Sequence, residues 1–160
     1  MPLQVGDAIP ELNLTVVDEA GPKPVASKEF FAGKTVVLFA VPGAFTPTCS
    51  ARHLPGFKDH AADFAAKGVD VAACTSVNDY FVMKAWAKDQ GISDEVVLLA
   101  DGNGDFAKAM GLTLDASGFG MGPRSQRYAT VIRDGKIDKL FVETGGEFRV
   151  SSAEYVLENL

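Results

Sequence analysis

The segment Lys34–Val41 (KTVVLFAV) is unbroken by any polar residue from Val36 onward. It lacks the polar and apolar alternation of a strand with one wet face. A strand apolar on both sides belongs at the centre of a sheet that helices cover above and below, which places the chain in the α/β class. Immediately after it the chain reads Pro42-Gly-Ala-Phe-Thr-Pro-Thr-Cys49, a Pro/Gly turn leading to a cysteine where a helix should begin.

The rest of the sequence extends this order. Alternating apolar positions in Leu12–Val16 predict an early strand, and Gly21-Pro-Lys-Pro24 reads as a turn. Ser27–Phe31 reads as a short helix closed by Gly33. From Thr48 to Lys67 the pattern is helical, with Leu54, Phe57, Ala61, Phe64 and Ala65 on one face, Gly68 as C-cap and Pro55 bending the helix or breaking it briefly. Val69–Val77 and Val96–Ala100 read as further core strands. Asn78 is placed to cap a helix running to about Lys88, and a short helix follows at Asp105–Met110. Gly111–Gly122 reads as a long loop. Asp134-Gly135 joins Tyr128–Arg133 to Lys136–Glu143 as a hairpin, and Ser151-Ser-Ala-Glu154 is a capping box opening the last helix. This succession predicts a mixed central sheet with helices on both faces, an order that a thioredoxin-like fold satisfies.

With 160 residues, 47% of them hydrophobic, residues 1–160 are expected to form a single domain around one core. A net charge of −6 argues against nucleic acid as a partner. Apolar runs fall far short of the ~20 residues of a membrane helix, so no membrane association is expected. The N-terminus has no basic and apolar regions of a secretory signal, and two cysteines make no disulfide framework. A cytoplasmic location follows as the expectation, where a reducing environment keeps thiols available.

An ordinary cysteine, with pKa near ~8.5, is about 3% thiolate at pH 7. Full ionisation needs a shift of roughly three pH units, or ~4 kcal/mol. A helix N-terminus supplies ~0.3–1 kcal/mol, rising to ~2 in a sheltered site. A cation or further hydrogen bonds must provide the remainder. Arginine suits this best, since it stays charged when desolvated, and Arg52, Arg124, Arg127, Arg133 and Arg149 are the candidates. Thr46 brings a hydroxyl suited to a small oxygen substrate, and Pro42 would shield the pocket from water. In an isolated Thr-x-x-Cys the simpler reading makes the threonines helix caps and the cysteine a packing residue.

The wider context carries a resemblance. Pro42-x-x-x-Thr46-x-x-Cys49 is similar to the active-site signature of peroxiredoxins. The longer run from Val41 to Phe57 resembles their type II branch, the peroxiredoxin 5 group. Ser76–Asp79, Phe81–Ala87, Leu98–Asp101, Arg124–Tyr128 and Gly145–Ser152 extend the match over nearly the whole chain. The resemblance implies reduction of hydrogen peroxide and alkyl hydroperoxides by the Cys49 thiolate, which becomes a sulfenic acid. It makes Thr46 the residue that hydrogen-bonds the peroxide, Pro42 the shield and Arg127 the thiolate's cation, with Arg124 supporting the same network. Gly43, Phe45 and Phe119 would line the substrate pocket. It implies no metal and no organic cofactor, and a homodimer as the assembly.

Cys74 lies in an apolar strand and reads first as a buried, inert thiol. The resemblance offers a second role, since plant-type members carry a cysteine at this spacing that could resolve the sulfenic acid. Animal relatives place theirs near what is here Val150–Ser152, which holds no cysteine. Reduction would then pass through Cys74 or come directly from glutathione with glutaredoxin, or from thioredoxin. His53 lies one helical turn beyond Cys49, where contact with the thiolate is geometrically open, although packing near Pro55 is the simpler role. Phe45, Leu114, Phe119 and Met121 suggest an apolar patch around the pocket mouth, and core packing or a homodimer contact explains them equally well. A general thiol–disulfide oxidoreductase is disfavoured because Ala51-Arg52 stands where a Cys-x-x-Cys partner would be. A redox-sensing interaction module remains the non-enzymatic alternative.

Overall fold

The computed structural model describes residues 2–160, with Cys49 described by its backbone alone. In chain order the elements are β1 (Asn13–Asp18), β2 (Gly21–Ala26), α1 (Ser27–Phe31) and β3 (Thr35–Val41). A π-helical turn (Cys49–His53), α2 (Leu54–Asp59), α3 (Ala61–Ala66), β4 (Val71–Ser76), α4 (Tyr80–Asp89) and β5 (Val97–Ala100) follow. The chain closes with α5 (Asp105–Met110), β6 (Thr113–Asp115), a 3₁₀ turn (Ser117–Phe119), β7 (Pro123–Ser125), β8 (Tyr128–Arg133), β9 (Lys136–Val142) and α6 (Ala153–Glu158).

The main sheet has seven strands in the order β2-β1-β5-β4-β3-β8-β9. As its composition requires, β3 is interior, parallel to β4 and antiparallel to β8. Its alternate residues feed two cores. Val37, Phe39 and Val41 pack under α2, α3, α4 and α6 with Leu54, Phe57, Phe64, Met83, Trp86 and Val156. Val36, Leu38 and Ala40 pack on the other face with Phe31, Phe106 and Met110. The α/β class and the mixed sheet with helices on both faces are therefore as expected.

Several local expectations need correction. Gly21–Pro24 is not a turn but the start of β2, with Pro22 opposite Val17 and Pro24 opposite Thr15. Proline is tolerated there because β2 is an edge strand. The helical stretch after Cys49 breaks at His60 (φ −98°, ψ 12°) and not at Pro55, which sits in the first turn of α2 just past the wide π turn. The wide π turn directly before α2 absorbs the hydrogen bond that Pro55 cannot donate. The break also rotates Ala65 out of the expected apolar face, leaving it exposed while Phe64 is buried. Gly111–Gly122 is not all loop, because β6 pairs with β7 as a separate two-stranded ribbon. The cap of α6 is Ser152, whose hydroxyl accepts from the Tyr155 N–H; Ser151 is buried with a different partner.

Candidate active site

β3 delivers the chain to the site and β4 braces it. Beyond Val41 the backbone turns through Pro42–Thr46 and enters the π turn that Cys49 opens. Asn78, expected as a helix cap, instead turns its Oδ1 to this loop, accepting from the Ala44 N–H at 2.9 Å and from Ser76 Oγ at 2.6 Å. Asp79 takes over the capping of α4, accepting from the Val82 N–H. Gly43 is buried where a Cβ would stand 3.1 Å from Met121 Cε and 3.2 Å from Thr46 Cγ2. A side chain there would have to push these two groups back by a few tenths of an ångström. Phe45 holds a left-handed φ of 64°, strain of the kind stored at ligand-facing turns.

Thr46 Oγ1 donates to the Gly43 carbonyl at 2.7 Å, so its proton is committed and its lone pairs are left to accept. The Ser50 N–H donates to the Thr46 carbonyl at 3.0 Å, and Trp86 Nε1 donates to Ser50 Oγ at 2.9 Å. Loop and turn are thus tied to α4. The sulfur of Cys49, and every expected contact of it, lies outside the described residues.

His53 is the residue that sequence reasoning undervalued. It closes the π turn that Cys49 opens, and it is wholly buried against Phe39, Phe57 and Phe148. Arg127 Nη1 donates to His53 Nδ1 at 2.7 Å, and His53 Nε2 donates to the Ser151 carbonyl at 2.8 Å. A guanidinium can only donate and a carbonyl only accept, so the imidazole is fixed as the neutral Nε2–H tautomer. Burial, then the charge of Arg127, lower its pKa to about 3, with the Ser151 carbonyl opposing. The signal in the sequence was the helical spacing from Cys49; nothing in it pointed to Arg127 as the partner.

This depressed pKa has a measurable consequence. In the unfolded chain His53 takes a proton near pH 6.5, whereas in the folded protein it stays neutral to about pH 3. Between those values the unfolded state binds the extra proton, so stability falls as pH drops, by at most ~1.4 kcal/mol per pH unit from this group. Denaturant titrations from pH 7 to 4 are expected to show a steeper loss of stability in the parent than in His53→Gln.

The other arginines separate by position. Arg124 Nε donates to the Met121 carbonyl at 3.0 Å and Nη1 to the Val77 carbonyl at 2.9 Å, tying the Met121 loop to the end of β4 beside Gly43. Arg52 is exposed with its guanidinium 4.8 Å from the Phe148 ring centroid, and Arg127 lies 5.8 Å from the same ring. Arg133 pairs with Asp138 and Arg149 with Glu147 at the surface, away from this role. Cys74 is fully buried on β4, level with Phe39 and Leu98. Phe45, Leu114 and Phe119 are 50%, 39% and 87% exposed. A groove of about 1080 Å³ between β1, α4 and β5 is lined by Val17, Phe81, Lys84 and Ile92 and carries no cysteine. Among the described residues no helix is long and apolar enough to cross a membrane.

Residues 4–157 match the Redoxin family model. Peroxiredoxin-2B of Arabidopsis thaliana is 47% identical over 160 residues, covering 99% of both chains. The chloroplastic peroxiredoxin-2E of the same plant is 50% identical over 162 residues, covering 99% of this chain and 69% of its own length. Reduced Prx3 of Vibrio vulnificus, in a crystal structure with hydrogen peroxide, superposes with a TM-score of 0.94 at 48% identity over 98% of each chain. With a mixed sheet of thioredoxin-like type and full-length identity near one half, the chain belongs to the type II peroxiredoxins, a family of thiol-dependent peroxidases.

Proposed function

We propose that the peroxidase chemistry runs through Cys49, whose thiolate attacks the terminal oxygen of hydrogen peroxide or an alkyl hydroperoxide. The O–O bond breaks, water or an alcohol leaves, and Cys49 becomes a sulfenic acid. One observation carries this reading: Arg127 is tied through neutral His53 to the same helical turn that Cys49 opens. A permanent cation held there favours thiolate over thiol and stabilises charge on the departing oxygen. Thr46, its own proton spent on Gly43, accepts the hydroperoxide O–H. Pro42 shields the sulfur, and Gly43, Phe45 and Phe119 border the pocket. Arg124 acts one step back by holding the Met121 loop against Gly43.

The cycle closes with an external thiol, glutathione with glutaredoxin or thioredoxin, in a reducing compartment such as the cytoplasm. Val150–Ser152 holds no cysteine and Cys74 is sealed in the core, which supports direct reduction over an internal disulfide. Cys74→Ser is expected to leave glutaredoxin-supported turnover unchanged while lowering stability by ~1–3 kcal/mol, because a hydroxyl replaces a thiol between Phe39 and Leu98. Coupled turnover and urea unfolding of the variant measure the two effects. The exposure of the apolar side chains Phe45, Leu114 and Phe119 supports a homodimer that covers them.

Mass spectrometry after one equivalent of peroxide tests the scheme. A sulfenic acid or a mixed disulfide at Cys49 supports it. A Cys49–Cys74 bridge would transfer the resolving role to Cys74. Slow single oxidation without turnover would point to a redox sensor.

A further inference from the structure

Glu143 follows β9, and its side chain is buried, 6% exposed. Its Oε2 accepts from the N–H groups of Arg149, Val150 and Ser151 at 2.8, 2.9 and 2.8 Å, and from Ser151 Oγ at 2.5 Å. Its Oε1 is buried with no hydrogen-bond partner. Its own N–H donates to the Arg127 carbonyl at 3.0 Å. Converging N–H groups form a strong anion cradle, and burying an unpartnered carboxylate oxygen carries a penalty that packing alone would not justify. The cradle fixes two things in the 144–151 stretch, most of which is exposed. One is the Ser151 carbonyl, which accepts from His53 Nε2. The other is Phe148, whose ring meets the edge of His53, centroids 4.9 Å apart, and lies under Arg52 and Arg127.

We propose that Glu143 is a positioning residue for Arg127: its carboxylate shapes the 149–151 backbone, the Ser151 carbonyl then orients His53, and His53 aims the guanidinium. It touches neither peroxide nor sulfur. The assignment rests on the role given to Arg127 above. Without the carboxylate, the Ser151 carbonyl loses its fixed direction, the tautomer of His53 is no longer enforced, and His53 Nδ1 no longer holds Arg127 Nη1 in place.

The test uses reduced full-length Glu143→Ala and Glu143→Gln beside the parent, each first checked for folding by circular dichroism. The direct readout is ¹⁵N NMR of the imidazoles, with His60→Gln distinguishing the two histidines. The parent should show a single Nε2–H tautomer for His53, and both variants should show a mixed or altered one. Peroxide consumption by stopped flow should fall by ~10–100-fold in Glu143→Ala, the range seen when groups behind a catalytic residue are removed. Glu143→Gln keeps an acceptor oxygen and should fall less. If Glu143→Ala does not fold, Glu143→Gln carries the test alone. A folded variant with parental His53 signals overturns the proposal, whether or not its rate falls. Moved signals with a parental rate overturn it as well. Should the parent itself consume no peroxide, the catalytic reading fails separately, and the NMR result still decides whether Glu143 orients His53.

Discussion

Cys49→Ser is expected to bring thiol-supported peroxide consumption down to the uncatalysed background, a loss of roughly four or more orders of magnitude. The reason lies in the nucleophile. A thiolate can form at neutral pH with help from a helix terminus and a cation, whereas a serine hydroxyl stays protonated there and needs a general base to become a nucleophile. His53 cannot serve as that base, because its Nδ1 is occupied by the Arg127 donor and burial keeps it neutral to about pH 3. Stopped-flow mixing of the reduced variant with hydrogen peroxide measures the effect. Residual Cys49-independent turnover above background would move the chemistry to Cys74, the chain's other cysteine.

Arg127→Ala should be the second-largest lesion, lowering kcat/KM for peroxide by ~10²–10³-fold, the scale of removing one donor aimed at developing negative charge. Two effects combine. The thiol pKa rises once its cation is gone, and a return to ~8.5 would leave about 3% thiolate at pH 7. The leaving oxygen also loses its guanidinium donor. Iodoacetamide alkylation followed from pH 4 to 10 separates them, since it reports ionisation without peroxide. An alkylation profile unchanged from the parent would remove Arg127 from the role of thiolate partner. The same variant frees His53 of a neighbouring positive charge, so the imidazole should titrate above about pH 3, although burial still holds it below its ordinary value. Arg127→Lys should recover part of the charge effect but little of the rate, because an ammonium lacks the planar fork.

Particular residues show how far local sequence reasoning reaches. The unbroken apolar run of β3 announced a central strand covered on both faces, and Asp134-Gly135 announced its hairpin, with positive φ at both residues. These signals are local: strand burial and turn geometry are written in consecutive side chains. The prolines of β2 misled because a turn and an edge strand accept proline equally, and only strand order tells them apart. Asn78 misled for a related reason. An asparagine before a helix is a good cap, yet the β3 loop arriving beside it offered the Ala44 N–H, and Asp79 was left to cap instead.

The sequence by itself determined the class of fold, the type II peroxiredoxin signature from Pro42 to Cys49, and the expected chemistry of a cysteine at a helix start. The resemblance had already named Arg127; tertiary structure alone decided that His53 holds it and that Ser151 and Glu143 stand behind His53. Those partners are 74, 98 and 8 residues apart along the chain, joined pair by pair by hydrogen bonds of 2.7, 2.8 and 2.5 Å. Spacing within a helix or strand reveals neighbours along one element. Contacts between elements depend on how the sheet orders its strands and how the chain packs against it, and residue spacing carries no record of that.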